Sequence, residues 1–323
     1  MYLVTGSAGF IGFHLSLFLL KKQKNVIGID NINNYYSKKI KIDRLKILKK
    51  YPNFEFYKID LKNKKKLSKI INKYKKKIKI VIHLAGQAGV RYSIINPITY
   101  VENNITTFIN LLELFKKKSK NTLIIYASSS SIYGEKGSRK SISSIIQNNP
   151  ISIYSASKLT MELISKVYNH IYKINFIGVR FFSVYGPWGR PDMFYFKFLK
   201  KIKLKQRINI YNFGKHHRSF TYIDDVVLNL SKIINKFSKK NTNICDVYNI
   251  GNPKSISLMK LITTIEKKLK TKCKKKFIKK QLGDLTFTKS NIYREKKAFG
   301  HITNTSLSDG VNNLINWYED YYK

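Results

Sequence analysis

The segment TGSAGFIGFHL, from Thr5 to Leu15, constrains this chain more than any other. It sets Gly6, Gly9 and Gly12 in a G-x-x-G-x-x-G spacing, after the apolar run YLVT and at the head of a long apolar segment. That order reads as strand, tight turn and helix. Gly6 permits the turn, Gly9 lets the backbone approach a pyrophosphate, and Gly12 lets the helix pack closely on the strand. Phe10 and Ile11 open the helix. Its unpaired N–H groups and positive dipole end face the same anion. An acid, Asp30, ends the next apolar run, 18 residues past Gly12, and Asn31 follows it. A carboxylate there can hold both hydroxyls of an adenosine ribose and would repel a 2′-phosphate, so the pattern predicts NAD rather than NADP.

Downstream, short β-branched runs alternate with helix-like stretches. Strands are predicted at 2–5, 25–30, 54–60, 78–84, 122–127 and 175–180. Helices are predicted at 10–22, 63–76, 100–118 and 153–172, with an unusually long loop from Asn31 onward. Buried strands alternating with helices imply an α/β fold, a Rossmann-type doubly wound parallel sheet covered on both faces. After Arg180 the rhythm breaks into the Gly/Pro-rich loop YGPWGRPDM and a mixture of short elements. The expected division is an NAD-binding part, 1–180, and a smaller mixed α/β substrate-binding part, 181–323, with an interleaved boundary.

The net charge of +44 invites a nucleic-acid reading. Its texture argues otherwise. Only eight of the 62 basic residues are arginine, and the lysines are spread along the chain. Ile, Asn, Tyr and Phe are abundant too, and all of these use A/T-rich codons. Compositional drift accounts for the charge, and no specific nucleic acid is expected. Weak, salt-sensitive adsorption to polyanions still follows from it. No run of about 18 apolar residues occurs, so membrane insertion is not expected. The first strand follows the initial residue without a basic leader. With only Cys245 and Cys273 present, the expectation is a cytoplasmic protein with neither a disulfide framework nor a metal site. His216 and His217 lack a third ligand at suitable spacing.

The segment YSASK sets Tyr154 and Lys158 four apart, on one helix face. A phenol is protonated near neutral pH. A nearby ammonium and the positive charge of an oxidised nicotinamide would stabilise the phenolate, making Tyr154 a general base. Y-x-x-x-K is common by chance in a chain rich in Tyr and Lys. Position gives it weight here, because it opens the helix after the fifth strand, downstream of the dinucleotide turn and of the serine run ASSSSIYG (127–134).

The motifs VTGSAGFIGFHL, GIDNINNYY, HLAGQAGVRYS, YASSSSIYG, YSASK, RFFSVYGPWGRPDM, RSFTYIDD, VYNIGN and GDLTFT follow one another over nearly the whole chain. In this order they resemble the extended short-chain dehydrogenase/reductase superfamily, and within it the UDP-glucuronate 4-epimerases. The resemblance implies a tightly held NAD, reduced and re-oxidised in each turnover. Tyr154 would take the proton of the sugar's 4-hydroxyl as C4 gives up hydride. The 4-keto sugar would then turn over, and hydride would return to its opposite face. Lys158 would hold the nicotinamide ribose and depress the Tyr154 pKa. Leu84, Ala85 and Gly86 would line the cofactor, Asp60 and Leu61 would flank the adenine, and Asn103 would reach in from the next helix.

The same resemblance resolves the serine run. Ser129, 25 residues before Tyr154, takes the place of the hydroxyl that bonds the reacting 4-oxygen. Ser131 takes a slot that is acidic in sister dehydratases and decarboxylases, so elimination and decarboxylation lack their usual group. Alternation at a strand end would put Ser129 and Ser131 on one side and turn Ser128 and Ser130 away. On the substrate side the resemblance implies Gln87, a small hydroxyl at Ser183, Arg190 as partner of the sugar carboxylate, Arg218 on the diphosphate and Asp284 near the uridine. Arg91 either faces substrate or braces its loop. Arg218 could instead pair with Asp224 or Asp225, and Asp284 could be a turn residue. Gly86 stands where alanine is usual, and QLGD lacks a usual proline.

The expected activity is therefore an isomerase that converts UDP-glucuronate to UDP-galacturonate for an envelope polysaccharide. UDP-glucose/UDP-galactose epimerisation is the alternative, and a basic nucleic-acid-binding protein on an epimerase fold is the alternative of another class. Relatives pair through helices near 100–118 and 153–172, which implies a homodimer.

Overall fold

Leu3 and Val4, Val81 and Ile82, Ile124 and Ile125, and Phe176 and Ile177 are neighbours in sequence, and all are buried. Strand side chains alternate, so each pair sends one member to each face. The two faces carry separate apolar clusters, with Val4, Ile82, Ile125 and Ile177 in one and Leu3, Val81, Ile124 and Phe176 in the other. Strands of this kind must be covered above and below. The computed structural model describes residues 1–116, 122–137, 148–238 and 243–323.

The frame consists of β1 (Tyr2–Thr5), α1 (Phe10–Lys21), β2 (Val26–Asp30), α2 (Lys38–Leu48), β3 (Phe54–Lys58), α3 (Lys64–Tyr74) and β4 (Ile80–His83). It continues with α4 (Thr107–Phe115), β5 (Leu123–Ser129), α5 (Ile153–Tyr172), β6 (Asn175–Phe181), α6 (Ile223–Phe237), β7 (Cys245–Ile250) and α7 (Leu307–Tyr321). The seven strands are all parallel, in the order β7-β6-β5-β4-β1-β2-β3. Winding reverses between β1 and β4, and sheets of this kind take ligands outside the carboxyl ends at that point. Thr5 lies opposite both Ile29 and His83, so Gly6, Asp30 and Leu84 leave the sheet at one level.

Two expectations need correction. The stretch from Asn31 is irregular only as far as Ser37, and α2 follows. Its buried side chains include Ile40, Leu45 and Leu48 but also Lys41 and Arg44, and these basic residues hid the apolar face. The helix expected at 100–118 opens with a π-helical turn, Val101–Thr106, before α4, and its expected end lies outside the described residues.

The chain past residue 180 returns to the main sheet. β7 pairs with β6 from Cys245–Phe176 to Ile250–Phe181, and α6 packs on α1. The remainder includes the helices Phe194–Lys203, Leu258–Lys268 and Tyr293–Phe299 and three two-stranded pairs. Ser183–Tyr185 runs parallel to Phe220–Tyr222, His217–Arg218 antiparallel to Ile256–Ser257, and Ile208–Tyr211 parallel to Lys275–Ile278. Among the described residues no helix is long and apolar enough to cross a membrane.

Candidate active site

The glycine turn closes tightly on β4. Gly6 has φ +72°, and a Cβ there would stand 2.7 Å from the Ala85 amide nitrogen. A Cβ on Gly12 would land on the Gly6 carbonyl oxygen. Asp30 secures the turn as well as ending β2. Its Oδ2 accepts the Ala8 amide at 3.1 Å and its Oδ1 the Ile32 amide at 2.8 Å. Burial raises its pKa above the usual carboxylate value, while the two amides and the charges of Lys41 and Arg44 oppose that rise. Asn31 donates to Asp60 at 3.1 Å, tying the ends of β2 and β3 together.

Above these strand ends lies a cavity of about 860 Å³. Every candidate cofactor, catalytic and substrate residue named from the sequence lines it, from Gly6 to Asp284. At its adenosine end the glycine cradle, the amino end of α1 and the Asp30 carboxylate fit a dinucleotide. Asn103 reaches the cavity with its side chain bonded to the Thr99 carbonyl. Its neighbour Asn104 was not anticipated. Asn104 is fully buried, accepts the Gln87 amide at 2.7 Å, and donates to the Gln87 carbonyl and to Ser157. A Cβ on Gly86 would meet Asn104 Oδ1 at 2.7 Å, which gives a reason for glycine at that position.

Ser129 ends β5 and caps a 3₁₀ turn, Ser130–Tyr133. Its Oγ accepts both the Ser131 amide at 3.2 Å and the Ser131 hydroxyl at 3.0 Å. The two hydroxyls thus meet because Ser129 caps the turn, and not through strand alternation as expected. Ser128 turns to the interior and donates to Glu162 at 2.5 Å, and Glu162 takes two bonds from the buried Arg180.

Tyr154 stands in the first turn of α5, where a Ser152–Ser155 capping box sets the helix start. Lys158 Nζ donates to the Ala127 carbonyl at 3.0 Å. Burial pushes Lys158 down to about 8. Burial also raises the Tyr154 phenol above its usual value, while Ser129 and the charge of Arg190 pull it back. The expected depression counted the charge of an oxidised nicotinamide together with Lys158. Enclosure of the phenol outweighs its neighbours within the protein's own groups.

The substrate-side residues are already engaged. Arg190 forks onto Asp192 at 3.0 and 2.5 Å. Arg218 donates to the carbonyls of His217 and Thr286. It pairs with neither Asp224 nor Asp225, and Asp225 accepts instead from Asn304 and Thr305. Arg91 donates to Asp284 at 2.9 Å and lies over the Tyr211 ring, so these two brace one another at the rim. Ser183 is set by its pairing with Phe220. His216 is pushed down to about 4, mainly by burial. Sequence reasoning also missed Lys41, which lines the cavity and donates to Asn33, and Arg44, buried behind it. Arginine is scarce in this lysine-rich chain, and that scarcity was the available signal for Arg44.

The fold and this cavity define an α/β dinucleotide-binding protein. The chain belongs to the NAD dependent epimerase/dehydratase family, whose model matches residues 2–251. It is 42% identical to Protein CapI of Staphylococcus aureus over 99% of each chain. It is 39% identical to UDP-glucuronate 4-epimerase 1 of Arabidopsis thaliana, over 99% of this chain and 77% of that one. Among solved structures, it resembles UDP-glucuronic acid 4-epimerase from Bacillus cereus in complex with UDP-glucuronic acid and NAD. The TM-score there is 0.91, with 33% identity over 99% of both chains.

Proposed function

We propose that this protein epimerises UDP-glucuronate at C4 to UDP-galacturonate, with NAD as its resident cofactor. The observation that carries the reading is the shared cavity. Tyr154, Ser129 and Arg190 line it together, and the neutral Ser131 hydroxyl stands bonded to Ser129 where sister enzymes place an acid. NAD, when bound, supplies the acceptor and donor of the C4 hydride. As the phenolate, Tyr154 Oη takes the 4-hydroxyl proton and later returns it, and Ser129 Oγ holds the reacting oxygen. Lys158, one helix turn further along α5, supplies a buried positive charge at the site. Ser183 and Arg190 hold the sugar carboxylate, and Arg218 meets the diphosphate. A 4-keto glucuronate is a β-keto acid, so a carboxylate anchored at Arg190 is held away from the geometry of CO2 loss.

On this reading residues 1–180 hold the cofactor and 181–323 supply most contacts to the nucleotide sugar, in the cytoplasm where both would be met. A homodimer through the helices near 100–118 and α5 would cover the exposed Val101 and the exposed Leu163, Val167 and Ile171, which follow one another at helical spacing on α5, with the exposed Ile95 and Ile98 just before the first helix. Incubation of the purified protein with UDP-glucuronate, followed by NMR, tests the reaction. UDP-galacturonate is the expected product. UDP-galactose formed from UDP-glucose, with no reaction on UDP-glucuronate, would assign a neutral-sugar epimerase, and a UDP-pentose would assign a decarboxylase.

A further inference from the structure

Arg44, on α2, is fully buried, and among the described residues no carboxylate pairs with it. Its Nη1 donates to the Ala8 carbonyl at 2.8 Å and to Tyr36 Oη at 3.0 Å. Its Nη2 donates to the carbonyls of Trp188 at 2.5 Å and Gly189 at 3.0 Å. Nε has no partner among the described residues. Burying a guanidinium that no carboxylate pairs is costly, and Asp30 acts on it only through charge at a distance. The compensation here is a tie between three segments far apart in sequence.

The first segment is the glycine turn. Ala8 is held from both sides, its amide by Asp30 and its carbonyl by Arg44. The second is the stretch between β2 and α2, through Tyr36. The third is the loop whose next residue is Arg190. That loop carries Trp188 at φ +55°, an unusual backbone conformation for a bulky side chain. The Trp188 ring rests on Trp317 and Tyr321 of α7, and Tyr321 donates to Asp43, the neighbour of Arg44. The loop is therefore pinned through its carbonyls on α2 and through its indole on α7.

We infer that Arg44 is a positioning residue that sets Arg190 relative to the glycine turn, so one guanidinium aligns the sugar-facing arginine with the pyrophosphate cradle. The inference rests on the reading that Arg190 meets the sugar carboxylate. Only a planar fork can reach Ala8 and the Trp188–Gly189 carbonyls at once, and a lysine ammonium cannot span them.

The test compares Arg44→Met, Arg44→Lys, Arg190→Met and the double variant Arg44→Met/Arg190→Met. UDP-glucuronate kinetics and the affinity for UDP alone are measured for each. Arg44→Met should raise KM for UDP-glucuronate about tenfold or more, with UDP affinity within about twofold of the parent. Arg44→Lys should recover little of the loss. The double variant should be no worse than Arg190→Met alone, because both act on one contact. Additive losses, or equal losses for UDP and UDP-glucuronate, would overturn the inference in favour of a general structural role. If both Arg44 variants fail to fold, Tyr36→Phe decides. It should raise KM about threefold without changing UDP affinity, and an unchanged KM would overturn the inference. A parent protein that binds UDP but does not turn over UDP-glucuronate would instead refute the substrate reading.

Discussion

The two ends of the cleft are built differently. At the cofactor end the main chain makes the surface: Gly6 and Gly12 are pressed against Ala85 and against each other, and Asp30 fastens the turn by accepting the Ala8 amide. At the substrate end side chains make it. Arg190, Arg91 and Arg218 come from separate segments and are held by Asp192, Asp284 and backbone carbonyls. A surface made of backbone tolerates no added atom. A surface made of paired side chains loses its function in steps, because each partner can be removed alone. Tyr154 stands where the two ends meet and belongs to neither pattern.

Changes at that junction should have the largest effect. Tyr154→Phe should retain NAD and UDP-sugar binding while turnover falls by about 10²–10⁴-fold, the range for loss of a general base. Near-normal turnover would remove Tyr154 from the chemistry. At the cofactor end, Gly12→Ala should be severe for a single methyl. The new Cβ meets the Gly6 carbonyl oxygen, so NAD should no longer copurify and stability should fall by about 1–3 kcal/mol in denaturant titration. A variant that kept its cofactor would show that the turn can relax, and the contrast between the two ends would weaken.

The substrate end should respond more gently. Asp284→Asn breaks a rim ion pair whose arginine is 48% exposed. Stability should change by about 1 kcal/mol or less. KM for UDP-glucuronate should rise several-fold with kcat nearly unchanged. A fall in kcat with KM constant would move this pair from binding into the chemical step.

A pH dependence of stability should also appear at the junction. Burial lowers Lys158 from an ordinary 10.5 to about 8. Below about pH 8 the folded protein carries the full cost of that buried cation. Between about 8 and 10.5 the unfolded chain binds the proton that the folded one has released, so stability rises with pH across this window. Lys158→Met, assayed by thermal denaturation without added NAD, should be more stable than the parent at pH 7. The gap should close toward pH 10, and a gap independent of pH would mean that Lys158 is not a buried cation.

The cofactor end was readable because its determinants are local. Three glycines at fixed spacing, an acid at the end of the next strand and an apolar run on either side are constraints that a few consecutive residues impose on each other. The Tyr154–Lys158 pair was readable for the same reason, since one helix turn sets their spacing. The serine run was readable only in part. Ser129 and Ser131 do share a side, but through the 3₁₀ turn that Ser129 caps. α2 was read as loop because its inward face includes Lys41 and Arg44, and hydropathy counts those as exposed.

What the sequence alone determined is the parallel sheet, the place of the cleft at the ends of β1, β2 and β4, and the residue types gathered there. These follow from backbone sterics and from the periodicity of apolar residues. Only the tertiary structure decided which charges meet, namely Arg190 with Asp192, Arg91 with Asp284, and Arg44 with backbone carbonyls and the Tyr36 hydroxyl. It also decided how deeply Lys158 is enclosed. Burial and pairing depend on how distant segments pack, and no local pattern records how much water that packing removes.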